Sequence, residues 1–514
     1  MPRLTICLLM AGLVWAATAA AQTPPLWNDF VKAKAAGTEP ELPDFSYAGY
    51  HFSERAIPDV SARPRFDVTE YGAIPDDDKF DDGAIQQAIE TAEASQGGVV
   101  FFPPGKYRIA GDDNRRRSLR VSQSHIVLKG SGAGEGGTEI FMDKMRIGRR
   151  QIQFRPGRTS DDELATITKD APRESFWVEV DDPSDLGVGQ NVVIRHQSEE
   201  FTRLYFDPLP LAGEWRRLFG RRGGMNIAEI HTIAQIDGNR VRFVNPIHFH
   251  LRLVESEPFT LRRFDSIREC GIEDIRFTGH WDSFPEEFVH HKNGIHDSGW
   301  DAISMENVED SWIRRCEFRN WNECIFTRNA YKMTIEDVTF SGKKGHTSVH
   351  ARGGYGTLIK NCRHMAGHHH GPGGGYGSVN LVVTQCAMQV DQNIDLHSGQ
   401  SYACLYDDIE GGILRNLGGP HPGLPHAGRD LVFWNFRHRS TFDFTYNFWN
   451  TRQRRNHTFA DPVFVGFQAD REIKFENEGR NEMPGDTVEP RSLFEAQLEL
   501  RLRTPRDASA SAGQ

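Results

Sequence analysis

Between residues 311 and 388 the chain repeats a short alternation of apolar and polar positions at an almost fixed interval. SWIRRCEF (311–318), MTIEDVTF (333–340), TLIKNCRH (357–364) and LVVTQCAM (381–388) align on Ile313, Ile335, Ile359 and Val383, at intervals of 22, 24 and 24 residues. Cys316, Val338, Cys362 and Cys386 repeat the interval; IEDIRF (272–277) is an earlier member and DLVFWNF (430–436) a later one. A period of ~20–25 residues made of short strands is the signature of a solenoid. Coils stacked at the ~4.8 Å strand spacing turn a repeated apolar position into an inward ladder. The pattern predicts an all-β protein, a single-stranded parallel β-helix. Leucine-rich repeats share the period, but their L-x-x-L-x-L pattern is missing. Cysteines in such a ladder read as buried free thiols rather than as bridges or metal ligands.

Residues 66–110 read FDVTEYGAIPDDDKFDDGAIQQAIETAEASQGGVVFFPPGKYRIA. They parse as a short strand, an Asp-rich turn, an amphipathic helix with Ile85 and Ile89 on one face, a Gly-Gly stop, a buried strand Val99 to Phe102 and a Pro-Pro-Gly turn. This segment resembles the opening of the pectate-lyase-like superfamily, the rhamnogalacturonase/epimerase-like pectate lyase domain that recurs in rhamnogalacturonases, phage tailspikes and exported carbohydrate enzymes. The resemblance implies a right-handed parallel β-helix whose N-terminal helix caps the open end. It names a fold: the N-T-D, G-H-G and R-I-K set of polygalacturonase-type hydrolases is absent apart from the pair Asp407-Asp408. The W-I-D-H and R-x-P-x-x-R motifs of calcium pectate lyases are also missing.

The remaining pattern divides the chain. Residues 1–21 have a basic start, an apolar run and a small-residue cleavage site near Ala21, and read as a signal peptide, so the expected location is periplasmic or secreted. Residues 22–65 form an irregular, proline-punctuated N-terminal arm, and 66–488 the β-helix. Short alternating strands with an Asp237-Gly238 hairpin mark a small β insertion at about 160–255. Residues 489–505 are an amphipathic cap for the open C-terminal end, and 506–514 a disordered tail. No stretch beyond the signal reaches the ~20 apolar residues of a membrane span.

Composition narrows the partners. With 71 acidic and 60 basic residues, a formal net charge of -11 argues against nucleic acid. An acidic polymer would therefore need a local basic patch. The 49 glycines and 33 phenylalanines suit a turn-rich surface lined with aromatics better than a helical bundle.

Aligning the coils by their ladder residue brings DAISMEN (301–307), ECIFTRN (323–329) and TSVHARG (347–353) into register. Alternation then places Ile303, Ile325 and Val349 inward, and Ser304, Phe326 and His350 outward. Arg328 and Arg352 stack. The coil DQNIDLHSGQ (391–400) adds Asp395 and His397 to the same surface, with His346 at its edge. Stacked arginines repel, and either acidic neighbours in a salt-bridge ladder or the anionic groups of a substrate can offset that.

On a polyuronide the chemistry is β-elimination, in which a proton leaves the carbon beside the carboxylate. Arg328 or Arg352 neutralises the carboxylate, and His350 or His397 acts as base. Asp395 orients a histidine or binds calcium, the one cofactor for which the chemistry leaves room. Hydrolysis would instead require two carboxylates flanking the bond, from Asp395, Asp407 and Asp408.

HHKNGIHDSGWD (290–301) lies one coil earlier, and His296, Asp297 and Trp300 are its substrate-binding candidates, with Asp407 and Asp408 beyond. GHHHGPGGGYG (367–377) reads as a flexible rim loop, and no metal is assigned to it, because such a loop holds ligands poorly. The expected function is an exported enzyme acting on an acidic polysaccharide or oligosaccharide, a lyase first and a hydrolase second. A non-catalytic carbohydrate-binding surface protein is the third reading. Nothing in the pattern specifies an oligomer.

Overall fold

The computed structural model describes residues 22–110, 118–212, 223–415, 424–451 and 458–503. The expected signal peptide and the tail 506–514 lie outside the described residues. Three parallel sheets run the length of the chain. A first sheet of 13 strands begins at Arg65–Asp67 and ends at Arg480–Glu482. A second, of seven strands, runs from Gly105–Ile109 to Ala387–Met388. The third, also of seven strands, comprises Leu119–Val121, Arg150–Phe154, Asp301–Glu306, Glu323–Arg328, Thr347–Arg352, His370–Gly375 and Asp395–Leu396. One coil passes through all three: Glu323–Arg328, then Tyr331–Glu336 in the first sheet, Thr339–Ser341 in the second, and Thr347–Arg352 back in the third. This is a parallel β-helix, with the right-handed sense that parallel crossovers take.

The tight corner between the third and first sheets needs a left-handed residue, and asparagine tolerates that conformation. Asn307 and Asn329 take φ of 50° and 49° there, and the Asn329 amide donates to Asn307 at 3.2 Å. Inside, the expected ladder forms. Ile272, Ile313, Ile335, Ile359 and Val383 are consecutive Cα partners, continued by Tyr406, Phe433 and Phe464. All eight belong to one buried core that also holds Cys316, Val338, Cys362 and Cys386. The six cysteines among the described residues are free and buried. Helix Asp82–Ala94 buries Ile85 and Ile89 against the first coils.

The first sheet is apolar on both faces. Its outer positions Leu358, Val382, Leu405 and Val432 join a second buried cluster with the arm, the insertion and the C-terminal helix. That is why its later strands, such as Leu431–Trp434, read as unbroken apolar runs rather than as alternations. The insertion is a six-stranded antiparallel sheet with strands from Glu163–Thr166 to Thr260–Arg263. It docks through the Tyr331 and Tyr355 hydroxyls, which donate to Asn245 Oδ1 and the Pro246 carbonyl at 2.9 and 3.0 Å. The arm differs from the irregular segment expected, because it opens with helix Pro25–Ala36, started by proline and stopped by Gly37 in the left-handed conformation.

Two further expectations are corrected. Helix Leu493–Arg503 does not close the open end of the solenoid; it lies along the outer face of the first sheet, where Gln497 bonds to Phe45 and Pro43 of the arm. Asp407 and Asp408, assigned to substrate, sit on that face too. Asp407 is fully buried and accepts from the Leu493 and Phe494 amides and the Thr384 and Ser492 hydroxyls, so it caps the helix. Asp408 pairs with Arg491 at 2.9 Å. Neither lies on the sheet that carries Asp395, which removes the expected hydrolytic pairing.

The capping carboxylate gives a stability test. Asp407→Ala strands two helix-terminal amides in an apolar setting, at a cost of roughly 3 kcal/mol. Urea denaturation should show that loss, and limited proteolysis should release the C-terminal helix earlier. An unchanged midpoint and cleavage pattern would refute the capping role.

Candidate functional site

The outer face of the third sheet is built from polar rows that include wholly buried charged and imidazole groups. Register sets three of them. One runs Arg150, Asp301, Glu323, Thr347, His370; the next runs Gln153, Ser304, Phe326, His350, Gly373, Asp395; the third contains Glu306, Arg328, Arg352 and Gly375. The expected juxtapositions of His350 with Phe326 and of Arg352 with Arg328 are therefore real.

Asp395 is the centre of the face. It is completely buried, and three imidazoles surround it: His370 Nδ1 at 3.3 Å, His397 Nδ1 at 3.4 Å and His350 Nδ1 at 3.7 Å. Burial raises its pKa, but His370 and His350 more than offset this and hold it well below the carboxylate range. Burial, working against the attraction of Asp395, pushes His350 down to about 3. His397 is the imidazole of the three that reaches solvent, with its side chain 16% exposed. Tyr376, 46% exposed, lies parallel to the His397 ring at 6.2 Å.

His350 and Asp395 are two coils apart, and they meet because the residue between them has no side chain. A Cβ on Gly373 would lie 1.6 Å from the Asp395 carbonyl oxygen. Gly375 leaves the same kind of gap before His397, whose backbone oxygen would be 2.8 Å from an added Cβ. The tract 367–377 is thus corrected from a flexible loop to a strand, His370–Gly375, fully buried along its length. Its glycines let the neighbouring coils approach closely. His368 of the tract and His364 just before it turn inward: His364 stacks on Phe340, and His368 lies 3.6 Å from Cys324.

The stacked arginines have aromatic partners. Arg150, Arg352 and Arg328 stand over the Phe326 ring at 3.9, 5.2 and 5.5 Å from its centroid, and Arg352 also over Tyr376 at 4.4 Å. Such contacts contribute about 0.5–2 kcal/mol each. Carboxylate pairing is uneven. Arg150 binds Glu323 at 2.7 Å, whereas Arg328 only approaches Glu306 at 3.8 Å, and the buried Nε of Arg352 has no partner. Arg328 and Arg352 thus keep hydrogen-bonding capacity that no close carboxylate uses.

Excursion 280–300 folds over one edge of this face. It is pinned by Trp281 Nε1 to the Lys344 carbonyl and by Lys343 Nζ to the Phe284 and Glu286 carbonyls, each at 2.7 Å. His296 and Trp300, expected to touch substrate, are corrected to structural roles: His296 is fully buried against Glu286 and the Val289 amide, and Trp300 belongs to the core. Asp297 accepts from the His291 backbone and supplies a carbonyl to His346 Nδ1 at 3.0 Å. His346 does stand at the edge of the site, 3.6 Å from Glu323.

Sequence reasoning missed Arg150, Glu323, Asp301 and Tyr376. Extending the coil alignment two positions upstream of the inward residues Ile152, Ile303 and Ile325 would have found the first three. Burial and the neighbouring Glu323 raise Asp301 well above its usual value. Burial also works against Glu323's charge, but His346 and Arg150 hold it at about 2. Calcium does not suit Asp395, because its surroundings are imidazoles rather than the six to eight oxygens that ion takes. Ring nitrogens and carboxylate oxygens do converge in two overlapping groups, His290, His346 and His370, and His370, Asp395 and His397.

Comparisons with known proteins agree with this architecture. Residues 65–151 match the model described as Rhamnogalacturonase A/epimerase, pectate lyase-like, and residues 367–508 match Domain of unknown function (DUF4955). Alginate lyase 7 of Azotobacter vinelandii is 30% identical over 153 residues, 28% of this chain and 18% of that protein. Mannuronan C5-epimerase AlgE3 of the same organism is 28% identical over 151 residues, 28% of this chain and 8% of its own length. The matches thus span less than a fifth of these relatives. Among solved structures, the tailspike gp49 of Pseudomonas phage LKA1 aligns at a TM-score of 0.44 and 11% identity, over 83% of this chain and 80% of that one. The chain is a β-helix of the pectate-lyase-like superfamily. His370, Asp395 and His397 lie in the part matched by the domain of unknown function.

The gap at Gly373 can be tested directly. Gly373→Ala must displace the Asp395 backbone, at a cost of about 1–3 kcal/mol, and should shift the histidine ring resonances of the site. A variant with wild-type stability and an unchanged histidine spectrum would show that the close approach is not needed.

Proposed function

We propose that this β-helix cuts a uronic-acid polymer by β-elimination on the outer face of its third sheet. The observation that carries the reading is the pairing of two arginines that have spare hydrogen-bonding capacity with a histidine-carboxylate cluster on one face. Arg352 and Arg328 receive the sugar carboxylate, and the charge they neutralise is the charge that builds up when the neighbouring proton leaves. His397 is the base. It reaches solvent, and Asp395 behind it fixes the ring and stabilises the imidazolium once the proton arrives. His350 is the poorer of the two expected bases, since its ring is buried and its remaining nitrogen is enclosed without a partner. Tyr376, beside both Arg352 and His397, offers a stacking surface to a sugar ring.

The alginate-active names among the relatives support an acidic polysaccharide as substrate class, and the apolar run at residues 4–20 supports export. No helix among the described residues is long and apolar enough to cross a membrane. Hydrolysis has one observation in its favour, the in-register carboxylates Asp301 and Glu323, whose pKa values are pushed apart. Asp301 is 1% exposed, which places it poorly for contact with a polymer.

Incubating the protein with a panel of uronic-acid polymers should raise absorbance near ~235 nm, the signature of the double bond formed when the proton leaves one carbon and the glycosidic oxygen, taking the C–O bonding pair and then a proton, leaves the next. His397→Ala should lower kcat by about 10²–10⁴-fold. Arg352→Lys should raise KM and lower kcat together, because a lysine loses the two-pronged carboxylate contact. New reducing ends without absorbance, abolished by Glu323→Gln, would replace elimination with hydrolysis.

A further inference from the structure

Beside the proposed elimination site lies a cluster that shares only His370 with it. His346 immediately precedes strand Thr347–Arg352 and His370 opens the next strand of the third sheet, with the His370 amide donating to the His346 carbonyl at 2.8 Å. His290 comes down on them from the excursion, its ring 5.2 Å from each of theirs. One ligand atom from each of the three rings lies within 4.8 Å of the others. We infer that His290, His346 and His370 form a site for a divalent transition-metal ion of the zinc class, with His370 shared between this site and the Asp395 cluster.

The nitrogen inventory supports this. Nε2 of His290, of His346 and of His370 is in each case buried without a hydrogen-bond partner. His370 as a whole is 1% exposed. Three neighbouring ring nitrogens withheld from water, each without a partner, are costly, at about 1–3 kcal/mol apiece. An ion that accepts all three lone pairs removes that cost.

On two of the three rings, His346 and His370, the opposite nitrogen is placed as metal-bound imidazoles require. A ligating histidine normally donates its other N–H to a carboxylate or a carbonyl, which fixes the tautomer. His346 Nδ1 faces the Asp297 carbonyl at 3.0 Å and Glu323 at 3.6 Å, and His370 Nδ1 faces Asp395 at 3.3 Å. In both rings Nε2 is then the free lone pair. Three imidazoles suit zinc, copper or nickel rather than calcium or magnesium, and three protein ligands leave a coordination position open. The glycine-rich tract gave little reason to expect ligands held in place. As a strand with partners on both sides it supplies the rigidity that a loop lacks.

The inference stands apart from the elimination reading, since its test reads no activity. The full chain, prepared without a polyhistidine tag, is stripped with a chelator and titrated with zinc chloride against a coloured competitor. Cobalt(II) is used in parallel for its visible absorption. One equivalent per chain is expected, with a four-coordinate cobalt spectrum and a raised melting temperature. His290→Ala and His346→Ala should each weaken zinc by more than about a hundredfold, and Asp395→Asn, an outer-shell change, by about tenfold. His290→Gln, on the excursion and away from the ladder, serves as a folded control if an alanine variant melts early. Failure of the folded wild type to bind zinc below millimolar concentration, or affinity unchanged in His290→Ala and His290→Gln, would overturn the site.

Discussion

The candidate site of this molecule depends on the cross-coil register of the third sheet. Adjacent coils stack at the strand spacing, so a side chain on the outer face has one neighbour above and one below, about 4.8 Å away. Slipping any one of these strands by a single residue would turn Phe326, His350 or Asp395 inward and break the site. The register is held by the apolar ladder on the inner side of the same strands, Ile303, Ile325 and Val349, and by the asparagine corners that begin the next sheet. Core packing and site geometry are thus one constraint seen from two faces.

The location of the site follows from what the other surfaces are doing. The arm, the insertion and the C-terminal helix all cover the outer face of the first sheet and bury its apolar rows. Three separate segments spent on one face leave the third sheet to carry charge. Its polar rows are therefore not a solvated surface by default. They include Asp395, His370 and His350, which are almost wholly buried, and buried polar groups of that density need partners.

The sequence made the inner ladder legible because a period of 22 to 24 residues is visible without knowing the fold. The outward rows followed from it by alternation, which is why Arg328, Arg352, His350, Asp395 and His397 came together. Alternation says which face of a strand a residue takes, but not which sheet the strand belongs to. Asp407 and Asp408 looked like groove carboxylates and proved to be a helix cap and its neighbour. His296 and Trp300 were misplaced for a related reason: an excursion between coils has no period, and only its packing decides which side chains face in. The His370–Gly375 strand escaped because six residues with four glycines read as a loop. In a β-helix the neighbouring coils supply the order that the glycine side chains cannot, and the missing Cβ atoms become the space in which His350 and Asp395 meet.

Two ways exist to keep an ionised carboxylate such as Asp395 in a dry interior, a cation or a ring of hydrogen-bond donors. Three imidazoles at 3.3 to 3.7 Å are a loose version of the second. Their spacing leaves both carboxylate oxygens and several ring nitrogens short of a well-formed hydrogen bond. A cluster optimised for stability alone would have closed those distances or replaced the groups with apolar ones of similar size. Keeping them apart holds the groups in position while leaving their donors and lone pairs available. That is the expected state of a site that completes its bonding only when something binds, an anionic sugar along the arginine row or a metal ion between His290, His346 and His370. Because His370 belongs to both the carboxylate cluster and the three-histidine group, occupancy of one alters the charge felt by the other. A bound cation at His370 would draw Asp395 toward it and away from His397, so the two sites act as one electrostatic unit.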